Sequence, residues 1–265
     1  MTPGDRNGPS VGFDLWNRAR AAATAVELPR RVPLALTLSM GLLIVYVGYA
    51  ALYGDARHVL GALLVFGGLL ATGLAARMGR PGPAVGRLVQ AGYPLLFWPI
   101  LYQQAVETVM LTPHRYVDPV LLRFDAVLFG WPHGVPTTAL LGGPIEELAN
   151  AFYTSYYVGI PVGFFWLFRQ DPDQARRYGT AVLTAFAGCA LIWLVIPSGG
   201  LHPTGGPTGA AFGPFTEVAR MVYATNPHYA AAFPSSHVAL ATAAATTLHL
   251  SGRGRVGYLW AAGIA

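Results

Sequence analysis

Lysine is absent from this chain, and charge of either sign is scarce. The seventeen basic residues are all arginines and face twelve Asp and Glu, so only 11% of the 265 residues are charged. Soluble domains carry about 25%, which excludes an ordinary water-facing surface. Cysteine is nearly missing as well: Cys189, alone inside an apolar run, permits neither an internal disulfide nor a cysteine-based metal site. There is no H-E-x-x-H, no Asp/Asn calcium loop, no P-loop, and no G-x-G-x-x-G between a strand and a helix. These absences argue against a zinc protease and a nucleotide-binding enzyme. No G-x-S-x-G elbow is present either, which counts against a serine hydrolase.

What the chain has in quantity is apolar. Hydrophobic residues make up 54% and aromatics 12%, the mean hydropathy is +0.45, and the net charge is a modest +5. Disorder is excluded by that balance. A pI near 9.5 with so many aromatics and long apolar runs points to a membrane, not to nucleic acid. Crossing ~30 Å of hydrocarbon takes about 20 apolar residues. Six runs qualify: 34–53, 58–76, 88–111, 148–168, 178–196 and the short, Ala/Thr-rich 235–250. In lipid each must be helical, because every backbone group has to be satisfied within its own segment.

The expected fold is therefore all-α, a polytopic membrane helix bundle of six spans plus a partial seventh, with two long outer loops. Residues 1–33 read as a cytoplasmic tail with an amphipathic stretch at 13–26. They lack the compact apolar core and small-residue cleavage site of a signal peptide. Residues 34–111 supply amino-terminal spans, and 112–265 form the rest of the membrane core. The partial seventh is 256–265, a fresh apolar run after Arg253 and Arg255. Ten helical residues cover ~15 Å, half a bilayer. Such a run either folds back along the interface or is a span cut in the middle, and truncation is the favoured reading.

The arginines fix an orientation. Arg6, Arg18, Arg20, Arg30, Arg31, Arg77, Arg80, Arg87, Arg169, Arg176, Arg177, Arg253 and Arg255 fall on one side of a six-span chain, thirteen in all. Only Arg57, Arg115, Arg123 and Arg220 fall on the other. By the positive-inside rule the first side, with the amino terminus, is cytoplasmic, and the expected location is the plasma membrane. The Gly/Pro-rich loops 112–147 and 197–234 then lie on the outer face. Loops of such length are usually functional or disordered. Within the first, 117–130 reads as a short helix, either lying in the interface or simply on the surface. The second offers a short helix near 215–223.

One constellation stands out, Phe233-Pro234-Ser235-Ser236-His237 at the outer end of the last run. Pro pre-sets a first helical turn and Ser caps it. Free N–H groups at a helix start favour anions. Two hydroxyls and an imidazole there suit a phosphate, with the His giving a proton to the leaving group. The plainer reading is a cap that starts a membrane helix, with His237 as an interface polar residue.

At this point the chain resembles the type-2 phosphatidic acid phosphatase superfamily of integral-membrane enzymes, and most of all its branch containing inositol-phosphorylceramide synthases. Pro234-Ser235-Ser236-His237 matches the branch's Pro-Ser-x-His motif, and DPVLLRFDAVLFGWP (118–132) and YTSYY (153–157) look like the stretch ahead of it. The resemblance covers about 118–265 and implies a histidine mechanism without a metal or organic cofactor. A His of a third motif attacks phosphorus, and His237 acts as general acid. Ser235, and Ser236 through its backbone N–H, would bind phosphate on the exoplasmic side. The family's first motif supplies Lys and Arg before Pro, where this chain has Leu201-His202-Pro203, so His202 stands as a phosphate-binding candidate. The third motif would come later than the chain's end, twenty-eight residues past His237. His249 lies twelve residues along the same helix, ~18 Å away, and cannot serve one phosphate with His237. Nothing in the sequence orients His228.

Polar residues within the runs complete the candidates. Gln103, Gln104 and Glu107 are read either as functional groups or as helix–helix hydrogen bonds. Asn150, Tyr153 and Tyr157 share a face and suit either a headgroup entry or an aromatic belt. The expected function is an integral-membrane lipid phosphatase or phosphotransferase. Its expected partners are a lipid phosphate substrate and the membrane, with no nucleic acid. The alternative is a catalytically inactive scaffold or lipid-binding protein of the same fold. A transporter is the weaker third, since no two halves show matching interrupted spans.

Overall fold

The computed structural model describes residues 34–78, 84–111, 116–130, 143–199, 213–225 and 231–252. They form eight helices: α1 (Leu34–Tyr53), α2 (Ala56–Met78), α3 (Ala84–Val109), α4 (Asp118–Phe129), α5 (Gly143–Gln170), α6 (Pro172–Val195), α7 (Pro214–Thr225) and α8 (Ser236–Leu250). No strand occurs among the described residues, only an isolated bridge between Ser198 and Ala231. The tail 1–33, the apolar run 256–265, and His114, His133, His202 and His228 lie outside the described residues.

Helix starts follow capping chemistry. Asp55 caps α2 by accepting from the Arg57 and His58 amides at 2.9 and 3.2 Å. Asp171 caps α6 through the Asp173 and Gln174 amides, with Pro172 in the first turn. That single residue separates α5 from α6, so the two helices meet at a sharp corner. Gly163 on α5 lets Tyr178 of α6 approach closely enough for its hydroxyl to donate to the Ile160 carbonyl at 3.0 Å. Pro94 and Pro99 sit inside α3 and Pro161 inside α5.

The centre of the bundle is α6, which packs against α1, α3, α5 and α8. Its buried face presents Tyr178, Val182, Phe186, Ala190 and Trp193, and the Tyr46 hydroxyl of α1 reaches the Ala190 carbonyl at 2.8 Å. From α8, Leu240, Ala241, Ala244 and Ala245 close this core. The three alanines among them let α8 lie close against α6.

Each of the six apolar runs is helical, but among the described residues only α1, α2 and α6 are both long and apolar enough to cross a membrane. These three suggest a membrane protein. At 15 residues, α8 covers only about 22 Å. The outer surfaces of α1 and α2 expose Ile44 (66%), Leu52 (77%) and Leu64 (66%). Contiguous apolar surface of this kind suits hydrocarbon and would be a liability in water.

Candidate functional site

Construction of the site begins with the approach to α8. Trp193, at the end of α6, donates its indole N–H to the Pro234 carbonyl at 3.0 Å. Ser235 then takes an extended conformation (φ −67°, ψ 114°), and its Oγ accepts from the Val238 amide at 3.4 Å. Ser236 opens the helix and is buried. His237 follows in the first turn and turns toward α5.

Three chain segments far apart in sequence are clasped beside this helix start. Asp118, the first residue of α4, accepts from the Ser198 hydroxyl at 3.3 Å and from the Gly199 amide at 3.0 Å. The Val117 amide donates to the Pro197 carbonyl at 3.2 Å, and the Ala232 amide donates to the Ser198 carbonyl at 2.9 Å. The first residues of both long loops are thereby tied to the segment leading into Pro234.

His237 sits in an aromatic cradle. Its ring lies 4.7 Å from the Tyr153 ring and 4.5 Å from the Tyr156 ring, and its Nε2 is 3.2 Å from the Tyr157 hydroxyl. These tyrosines stand at i, i+3 and i+4 on α5, the spacing that puts side chains on one helix face. Trp98 of α3 backs them, edge-on to Tyr156 at 5.0 Å and stacked on Tyr157 at 6.2 Å. Tyr153 and Tyr157 were legible from their shared face; Tyr156 was not singled out, although the same spacing marks it. Trp98 carries no local signal, because only tertiary packing brings α3 here.

Other candidates lie elsewhere or are already engaged. Asn150 donates to the Thr216 hydroxyl at 3.1 Å, so it braces α7. Gln103 donates to Glu107 at 2.9 Å, and Gln104 reaches Thr108 at 3.4 Å. Both bonds run within α3, whereas the sequence reading had offered bonds between helices. Between helices, the Gln104 side chain packs on Gly61 of α2. His58 pairs with Asp55 at 2.8 Å, and His249 occupies the last turn of α8, far from His237. Among the described residues, no three His, Cys, Asp or Glu side chains gather as a metal would require.

Next to the cradle on α5, Glu147 clamps the start of α7. Its carboxylate accepts from the Phe215 and Thr216 amides at 2.7 and 3.0 Å and from the Thr216 hydroxyl at 2.7 Å. Partial burial pushes the Glu147 carboxyl up, but these hydrogen bonds outweigh it and hold the group below the ordinary carboxylate range. Gly213 is required here, since a Cβ would come within 2.5 Å of the Glu147 carboxylate.

Comparison with protein-family models, with curated proteins and with solved structures finds no match to this chain.

Proposed function

We propose that the chain is a six-span membrane protein, amino terminus cytoplasmic, that acts on a lipid phosphate ester at the outer face of the plasma membrane. His237 is the general acid in this reading. The backbone N–H groups opening α8 and the Ser235 hydroxyl hold the phosphate, and His202 is a further ligand. The observation that carries the reading is the presentation of His237. An imidazole stands in the first turn of a helix, at the positive end of its dipole, oriented by a tyrosine hydroxyl and walled by aromatic rings. The acyl chains would remain among the spans while the headgroup meets α8. Hydrolysis and transfer differ here only in whether water or an alcohol accepts the phosphoryl group.

A second reading, an inactive scaffold or lipid-binding protein, also has an observation behind it. The Ser235 hydroxyl is spent on its own helix cap, and the Ser236 side chain is buried. Turnover of lipid phosphates in membranes separates the two. Membranes carrying the protein should hydrolyse or transfer phosphate, and His237→Ala should lower the rate about 10²–10⁴-fold, the usual contribution of a general acid. A rate indifferent to His237→Ala overturns the enzymatic reading.

A further inference from the structure

Tyr157 stands at the Nε2 edge of His237, where a proton can be handed on. The imidazole faces are covered by Tyr153 and Tyr156, with ring planes inclined at 31° and 47°. At the edge, Nε2 meets the Tyr157 hydroxyl at 3.2 Å, and that hydroxyl lies 3.5 Å from the hydroxyl of Tyr153. Tyr157 is 38% exposed and Tyr156 only 1%. A phenol is donor and acceptor at once. It can donate to Nε2 when the ring is neutral and accept from Nε2–H when the ring is charged. The same geometry thus serves both states of the histidine, through a phenol that is itself partly exposed.

We propose that Tyr157 relays the proton from His237 to the leaving oxygen of the phosphate ester. The inference rests on the phosphoryl-transfer reading above. As a bond forms between phosphorus and the incoming nucleophile, an imidazole nitrogen or a water oxygen, the bond from phosphorus to the leaving oxygen breaks. Its electron pair stays on that oxygen, which takes the Tyr157 hydroxyl proton. Oη takes the proton from Nε2 in the same movement. His237 ends neutral, the leaving group ends as an alcohol, and Tyr157 is unchanged. Trp98, stacked on the phenol at 6.2 Å, holds the relay in place.

The test is the rate of Tyr157→Phe, which keeps the ring contacts, on two esters in membranes carrying the full-length protein. Phosphatidic acid has a poor leaving group that needs a proton, whereas nitrophenyl phosphate has a good one that does not. The relay predicts a loss of about a hundredfold on phosphatidic acid and a far smaller loss on nitrophenyl phosphate, the same ordering that His237→Ala should give. Equal losses on both esters mark a structural role and overturn the relay. Full activity of Tyr157→Phe beside a dead His237→Ala overturns the relay and leaves the phosphoryl-transfer reading standing. No turnover by the wild-type protein overturns both. A second measurement needs no turnover: the ¹⁵N signal of His237 Nε2 should move in Tyr157→Phe, and an unmoved signal removes the hydrogen bond on which the relay depends.

Discussion

Gly163 shows how little slack single positions have in this bundle. A methyl group there would sit 2.9 Å from the Tyr178 hydroxyl, which is buried and tied to the Ile160 carbonyl. Alanine gains about 1 kcal/mol of helix propensity over glycine. Displacing the rigid phenol costs about 1–3 kcal/mol for overpacking and about 1 kcal/mol for the hydrogen bond. Gly163→Ala should therefore lower the unfolding temperature in detergent, and Tyr178→Phe in the same chain should recover part of the loss. At this scale the sequence was legible where chemistry is local. Ser235 caps the helix its position announced, and His237 lies at that helix's start. Asp118 and Trp193 gave no such signal, because their partners, Ser198, Gly199 and Pro234, lie 80, 81 and 41 residues away.

Among the elements, α7 depends on a neighbour for its first turn. Glu147 supplies from α5 the carboxylate that most helices find in their own capping residue, and its negative charge faces the positive end of the helix dipole. Because the folded protein depresses the Glu147 carboxyl, the clamp's stabilisation is complete above the ordinary carboxylate value of about 4.3. It is lost as pH falls through the lower, folded-state value. Amide exchange in α7 should quicken at acid pH ahead of exchange in α6, and Glu147→Gln should show the quickened exchange at neutral pH. Equal protection of α7 in Glu147→Gln and wild type would contradict this account. Apolar run length placed α1 without error, and the sequence placed a short helix near 215–223 where α7 runs to Thr225. It missed the early start of α5 at Gly143, because Glu146 and Glu147 read as loop until α7 gives the second of them a partner.

For the molecule as a whole, exposed apolar surface on α1 and α2 and the low charge point to a hydrocarbon setting, and sidedness is a separate question. A cysteine at Thr208 should react with an impermeant thiol reagent in intact cells. The one native thiol, Cys189, is buried and adds little background. Labelling only after lysis would reverse the proposed topology. Composition and run length reveal the helical bundle, but they carry nothing about which helices meet, since lipid-facing and core-facing residues are equally apolar. The clasp of Asp118, Ser198 and Ala232 has a consequence for the order of events during synthesis. Tyr157 and His237 are 80 residues apart, as are Asp118 and Ser198, and closing such separations is slower than forming any single helix. A chain emerging from its amino end carries every tyrosine of the cradle long before α8 arrives. The cradle is thus a vacant berth while the 80 residues between Tyr157 and His237 are made, and its imidazole is a late part to dock.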